Sequence, residues 1–255
     1  MPYFYQKRRK QISGNVSVSI FTKNLFKLFL FIFIIYLYFF ILPRASYAAT
    51  ATWTNVGADG LWSTCSNWSG GTGTDGCPGT SDIATFNSTS TDNISIDINI
   101  SVAGINIVTG YTGQITQNST KTMTIGSSHF IQEAGTFIGG DSLIDINGNL
   151  SITGGAFSST SGSLNIERDL GIFGASFIHN SGVVIFDGSY TGNTSIDANG
   201  IDFNLIIFNR FYSNGSAWSQ TLTIGSGTTI PLGNSPTLTL VNTSTKCCGT
   251  HKYNL

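Results

Sequence analysis

Beyond residue 90 the apolar residues of this 255-residue chain recur with two nested periods. The short period is two. Ile94, Ile96, Ile98, Ile100 and Val102 alternate with Ser, Asp, Asn and Ser, the pattern of a strand buried on one face. The long period is twenty. Phe137, Phe157 and Phe177 form one column, and Phe130, Leu150, Leu170 and Tyr190 a second. Ile144, Leu164 and Val184 form a third, and Ile146, Ile166 and Phe186 a fourth. Small residues keep step with them, in the series Ala134, Gly154, Gly174 and Gly135, Gly155, Ala175. Registers that agree over three turns are the signature of a solenoid.

The residue types decide which solenoid. Helical repeats need long stretches of helix formers, whereas here β-branched and aromatic residues alternate with Thr, Ser and Asn and are broken by Gly. The prediction is an all-β chain, a right-handed parallel β-helix with coils of about twenty residues stacked about 4.8 Å apart. No coil buries its apolar face alone, so stability must come from neighbouring coils. The period is looser before this region (Ile105, Ile107, Tyr111, Ile115, Met123, Ile125). After an insertion at 189–200 it resumes at Phe203, Leu205 and Ile207, and a further coil is read in Leu222, Ile224, Ile230, Leu232, Leu238 and Leu240. The whole makes about six or seven coils, a rod of roughly 30 Å.

The first 48 residues follow another logic. A basic cluster, Lys7, Arg8, Arg9 and Lys10, with Lys23 and Lys27, precedes the unbroken apolar run Leu28 to Leu42. Pro43, Arg44 and the small-residue pattern Ser46-Tyr47-Ala48 follow, which suits cleavage before Ala49. These are the three parts of a secretory signal. The alternative is an uncleaved anchor at 28–42, although the run is shorter than the roughly 20 residues a spanning helix needs. In both readings the basic end stays inside, the rest is exported to the surface or the medium, and the membrane is met only through this segment. The expected divisions are 1–48 signal or anchor, 49–90 a Trp- and Gly-rich cap, 91–244 coils and 245–255 an irregular tail.

Charge is concentrated in that leader. Without it five Lys and Arg remain against thirteen Asp and Glu, a formal net charge of −8. An acidic chain with scattered cations lacks the footprint for a phosphate backbone, so nucleic acid is excluded as a partner. Cys65 and Cys77 flank a Gly-rich loop and are a candidate disulfide of the kind that persists outside the cell. Cys247, Cys248 and His251 lack the spacing of a four-ligand metal site.

Three segments together bring a family into view: TWTNVGADGLWSTCSNWSGG at 52–71, IATF at 83–86 with SVAGINIVTGYTGQIT at 101–116, and GVVIFDG at 182–188. The chain resembles secreted repeat proteins of bacterial surfaces, the autotransporter-like and filamentous-haemagglutinin-like β-helices, in which a WS-x-x-x-NW segment opens the rod. The resemblance covers most of 51–210. It implies a surface β-helix and carries over no catalytic residue.

Parallel β-helices also include polysaccharide lyases and hydrolases, which place clustered acids on one strand face. Here Asp141 aligns with Ser161 and Ser181, and Asp145 with Asn165 and Ile185, so no acidic ladder forms. The one dense charge group, Glu167, Arg168 and Asp169 with Asp187 a coil later, falls on a turn. Asp169 and Asp187 are the pair to test against the about 5 to 10 Å separation of a two-carboxylate hydrolase. His129 and His179 share no column and are expected as exposed turn residues. Trp53, Trp62 and Trp68 either plug the open end of the solenoid or offer a stacking platform for sugar rings. No catalytic residue, metal or cofactor is assigned. The expected function is a noncatalytic exported β-solenoid with a structural or adhesive role, its partners glycans or other surface proteins. The alternative is a carbohydrate-binding or polysaccharide-cleaving β-helix. The tail 245–255 breaks composition and period, which reads as a fragment or an altered reading frame.

Overall fold

The computed structural model describes residues 25, 27–34, 48–188, 194–198, 200–209, 222–224 and 237–241, and the chain divides into two units, Met1–Ser46 and Tyr47–Leu255. In the first, residues 25 and 27–34 are helical, with exposed side chains such as Phe29 and Phe33. Among the described residues no helix is long and apolar enough to cross a membrane. Residues 35–42, the cleavage pattern up to Tyr47, the Cys247–His251 segment and the tail 245–255 lie outside the described residues.

The second unit is a solenoid of about six turns of parallel strands. From 82 to 186 each coil contributes a strand to sheet A, turns to sheet B, and turns again to sheet C. One coil runs through Leu150–Ile152, Ala156–Ser158 and Ser163–Ile166, and the next through Leu170–Ile172, Ser176–Ile178 and Val183–Phe186. Among the described residues sheets A, B and C hold nine, five and seven strands. Inside the coils the expected columns are present. Phe137, Phe157 and Phe177 pair in register, with ring centroids 4.9 and 5.8 Å apart. Ile144 pairs with Leu164 and Leu164 with Val184, while Ile146, Ile166 and Phe186 follow beside them.

Short strands are the consequence of tight corners. At the A-to-B corner Gly135 and Gly155 have φ of 64° and 75°, a left-handed backbone. A Cβ on Gly155 would lie 2.2 Å from the Gly135 carbonyl oxygen, so this corner stacks on the one before it only because Gly155 carries no side chain. Backbone groups turned inward at the B-to-C corner are met by the buried Gln117. Its Nε2 donates to the Lys121 carbonyl at 2.6 Å, and its Oε1 accepts from the Gly140 N–H at 2.9 Å.

Two expectations are corrected. The alternating run from Ile94 to Val102 is two strands, Ile94–Ile96 in sheet B and Ile100–Val102 in sheet C. Between them Asp97 accepts hydrogen bonds from Ser63, Asn99 Oδ1 accepts from the Thr122 N–H, and Ile98 is left 40% exposed at the corner. Alternation persists through a corner because the chain stays extended on both sides of it. The column through Phe130, Leu150 and Leu170 continues at Ile196 rather than Tyr190, which lies outside the described residues. The inward position is restored when sheet A resumes at Thr194–Asp197.

The front end departs from the coil plan. Ala49–Trp53 lies parallel beside Asp82–Phe86 and antiparallel beside the two-residue strand Trp68–Ser69. Sheet A therefore starts inside the expected cap, and the boundary drawn at 90 falls within the first coil. A front strand of two residues leaves little edge for another molecule to pair with.

Candidate functional site

The C-to-A corner carries the charges that the sequence singled out. At successive coils its last residue is His129, Asn149 and Asp169, each just before a sheet A strand. These side chains form a ladder. The Asn149 N–H donates to His129 Nδ1 at 3.0 Å, the Asp169 N–H to Asn149 Oδ1 at 3.3 Å, and the Ser195 N–H to Asp169 Oδ1 at 2.8 Å. Each coil thus supplies an acceptor for the backbone of the next. His129 is half-buried rather than exposed, with φ of 74°, and as an acceptor its Nδ1 is unprotonated. Burial lowers its pKa, and the Arg168 charge lowers it further against the opposing pull of Asp169. His179 is also half-buried, its Nδ1 accepting from the Ser181 N–H at 2.9 Å.

The other acids also accept hydrogen bonds from the chain itself. Asp187 accepts from Asn165 Nδ2 at 2.6 Å, and Asp145 from Asn147 Nδ2 at 3.4 Å. Burial raises the Asp145 carboxyl, to which the Glu167 charge adds. Asp141 accepts from the Ser119 hydroxyl, the Thr120 N–H and the Ser142 hydroxyl, which hold its pKa at about 2. Glu133 accepts from the Thr109 N–H and hydroxyl one coil back. Asp169 and Asp187, the pair marked for test, are thus each engaged by the chain itself. Among the described residues there is no group of three or more His, Cys, Asp or Glu side chains arranged to hold a metal ion.

Trp53, Trp62 and Trp68 are brought together at the front end, at 0, 1 and 6% exposure. Trp53 and Trp62 meet Trp68 at centroid distances of 5.2 and 4.6 Å, and Phe86 lies against all three. Trp68 Nε1 donates to the Trp62 carbonyl, and Trp53 Nε1 to that of Asp92. The trio fills the front end. Rings so covered present no face to a sugar, because stacking requires an open face.

Around this plug the chain is tied by polar groups that periodicity could not flag. Asn67, fully buried, accepts from the Gly57 N–H at 2.7 Å and donates to Asp59 and to the Leu61 carbonyl. Asp82, also fully buried, accepts from the Thr72 N–H and hydroxyl and from the Gly79 N–H, all within 2.8 Å. Burial pushes the Asp82 carboxyl up, but the hydrogen bonds from Gly79 and Thr72 outweigh it and hold the pKa below the ordinary carboxylate range. Cys65 and Cys77 close this loop as a disulfide with a Cα–Cα distance of 4.4 Å.

Sequence reasoning also passed over Phe173, one residue past the sheet A strand Leu170–Ile172 and 48% exposed. The signal was present: Leu170 and Ile172 point inward, so Gly171 and Phe173 fall on the outward phase.

Fold and site together define a parallel β-solenoid whose corner acids bind neighbouring coils. No protein-family model, curated protein or solved structure matches the chain.

Proposed function

We propose that the chain is an exported, noncatalytic β-solenoid serving a structural or adhesive role at the cell surface or in the medium, akin to the secreted repeat proteins of bacterial surfaces. The observation that carries this reading is the use of polar corner side chains as ties from coil to coil, in His129–Asn149–Asp169–Ser195, Thr120–Asp141 and Asn165–Asp187. Asp141, Asp169 and Asp187 each accept hydrogen bonds from the chain's own N–H, hydroxyl or amide groups, which supports a structural use of these carboxylates. Two further features support export. The basic and apolar leader has the form of a signal, and the Cys65–Cys77 disulfide belongs to an oxidising compartment. The winding is taken as right-handed, the hand that parallel crossovers overwhelmingly adopt.

Expression of the full chain in a host with a secretory pathway tests the reading. The expected product is recovered outside the cytoplasm, begins at Ala49, has no thiol-reactive Cys65 or Cys77, and releases no reducing sugar from a polysaccharide panel. Cytoplasmic retention with both thiols free would overturn export, and sugar release would overturn the noncatalytic half.

A further inference from the structure

We propose that the outer face of sheet A around Gly171 is a saccharide-binding site, with the Phe173 ring as the stacking surface for an uncharged pyranose. This deepens the adhesive reading by naming a ligand class, and it rests on that half of the reading alone.

A Cβ built on Gly171 would come within 2.6 Å of Phe173 Cε2 and 3.2 Å of Cζ, so the ring lies folded back over the bare backbone of its own strand. Positions equivalent to Gly171 in the two preceding coils hold Ser151 and Ile131, so it is the coil with the ring that lacks a side chain. A glycine inside a strand weakens it and marks a place of close approach. The ring seated there remains 48% exposed, although every other Phe in coils 130–186 is buried or half-buried in the interior stack. Covering a glycine explains the seat. It does not explain why a large apolar ring stands open to water at a turn where the preceding coils carry Glu133 and Thr153.

The neighbours name the ligand. Across Gly171 lie Ser151 on one adjacent strand and Asp197 on the other, both facing outward. Their backbones are separated by about 10 Å, two strand spacings, comparable with the span of a sugar ring and its hydroxyls. An open aromatic face flanked by a hydroxyl and a carboxylate suits a molecule with one flat C–H face and a hydroxylated rim. The outward column at this register reads Thr52, Thr85, Asn106, Ile131, Ser151, Gly171 and Asp197, with no Lys or Arg. Asp197 and Glu133 disfavour an anionic polymer, so uronates and nucleic acids are poor fits while uncharged glycans are not.

The test is affinity electrophoresis of the full chain in gels containing β-glucan, xylan or soluble N-acetylglucosamine oligomers, with polygalacturonate as the anionic probe and thermal melts run alongside. At least one uncharged probe is expected to retard the protein and polygalacturonate is not. Phe173→Ala should weaken that binding about tenfold, the scale of one aromatic stacking contact. Gly171→Ala, which displaces the ring while leaving it in the chain, should do the same, and Phe173→Tyr should retain binding. Lack of retardation by any uncharged probe, equal retardation by polygalacturonate, or a drop in melting temperature for Phe173→Ala and Gly171→Ala with binding unchanged would each overturn the site. None of these outcomes bears on export, which secretion and thiol state decide separately.

Discussion

The front end of the solenoid and its central coils solve one problem, covering an apolar interior, by different means. Between residues 130 and 186 the solution is repetition: Phe over Phe, Leu over Leu and Ile over Leu over Val, at a spacing of twenty residues. Between 54 and 81 no such column forms. At this end three tryptophans are packed together, a disulfide closes a loop, and buried Asn67 and Asp82 gather backbone N–H groups that no neighbouring strand can reach. A coil in the middle has a template on both sides, whereas the first has one on a single side, so specific polar and covalent ties replace the missing neighbour.

The largest effects should separate the two regions. Phe157→Ala and Trp62→Ala each remove a ring that is 1% exposed, and each should destabilise by about 3–5 kcal/mol. Their reach should differ. Hydrogen exchange is expected to show Phe157→Ala opening sheet B across the Phe137 and Phe177 coils while the front end stays protected. Trp62→Ala should open 49–97 and leave 130–186 protected. If both variants lost protection over the same span, the solenoid would be one cooperative unit and the contrast would fail.

A smaller effect should come from reducing Cys65–Cys77. Its sequence separation of 12 corresponds to about 2–3 kcal/mol by loop entropy. Native-state exchange with and without reductant is expected to show the loss between 54 and 82, with the central coils unchanged.

How much of this was legible follows the same division. Columns at 137, 157 and 177 or at 144, 164 and 184 announce themselves because identical environments select similar residues, so register and burial could be read by subtraction. The corner between Ile96 and Ile100 could not, since a three-residue strand on each side keeps the alternation running through it. The column's continuation at Ile196 was equally hidden, because it falls 26 residues after Leu170 and off the period of twenty. At the front end the tryptophans were visible as a cluster with two readings, and burial favoured the plug. Asp82 and Asn67 looked like ordinary loop residues. Their role depends on donors such as Thr72 and Gly57 about ten residues away, and a single use of that kind leaves no period. The candidate sugar platform falls between these cases: the outward phase of Phe173 was readable, but the seat on Gly171 required coordinates.

The smallest effect, and the sharpest test of the corner ladder, concerns His129. Its Nδ1 accepts the Asn149 N–H, so only the unprotonated imidazole can hold that rung. Burial, with Arg168, places its folded pKa below the ordinary value of 6.5. A base with a depressed folded pKa takes up more protons unfolded than folded. Stability then rises with pH through this window, its contribution being complete above about 6.5 and lost as pH falls below that toward the folded pKa. Because the ring is only half-buried, solvent screening keeps the slope shallow. Urea midpoints measured between pH 5 and 7.5 should fall gently on the acid side for the native chain. For His129→Asn, which keeps a side-chain acceptor like that of Asn149 but does not titrate, they should stay flat. A native slope that survived His129→Asn would assign the acid sensitivity to other groups and remove His129 from the ladder's energetics.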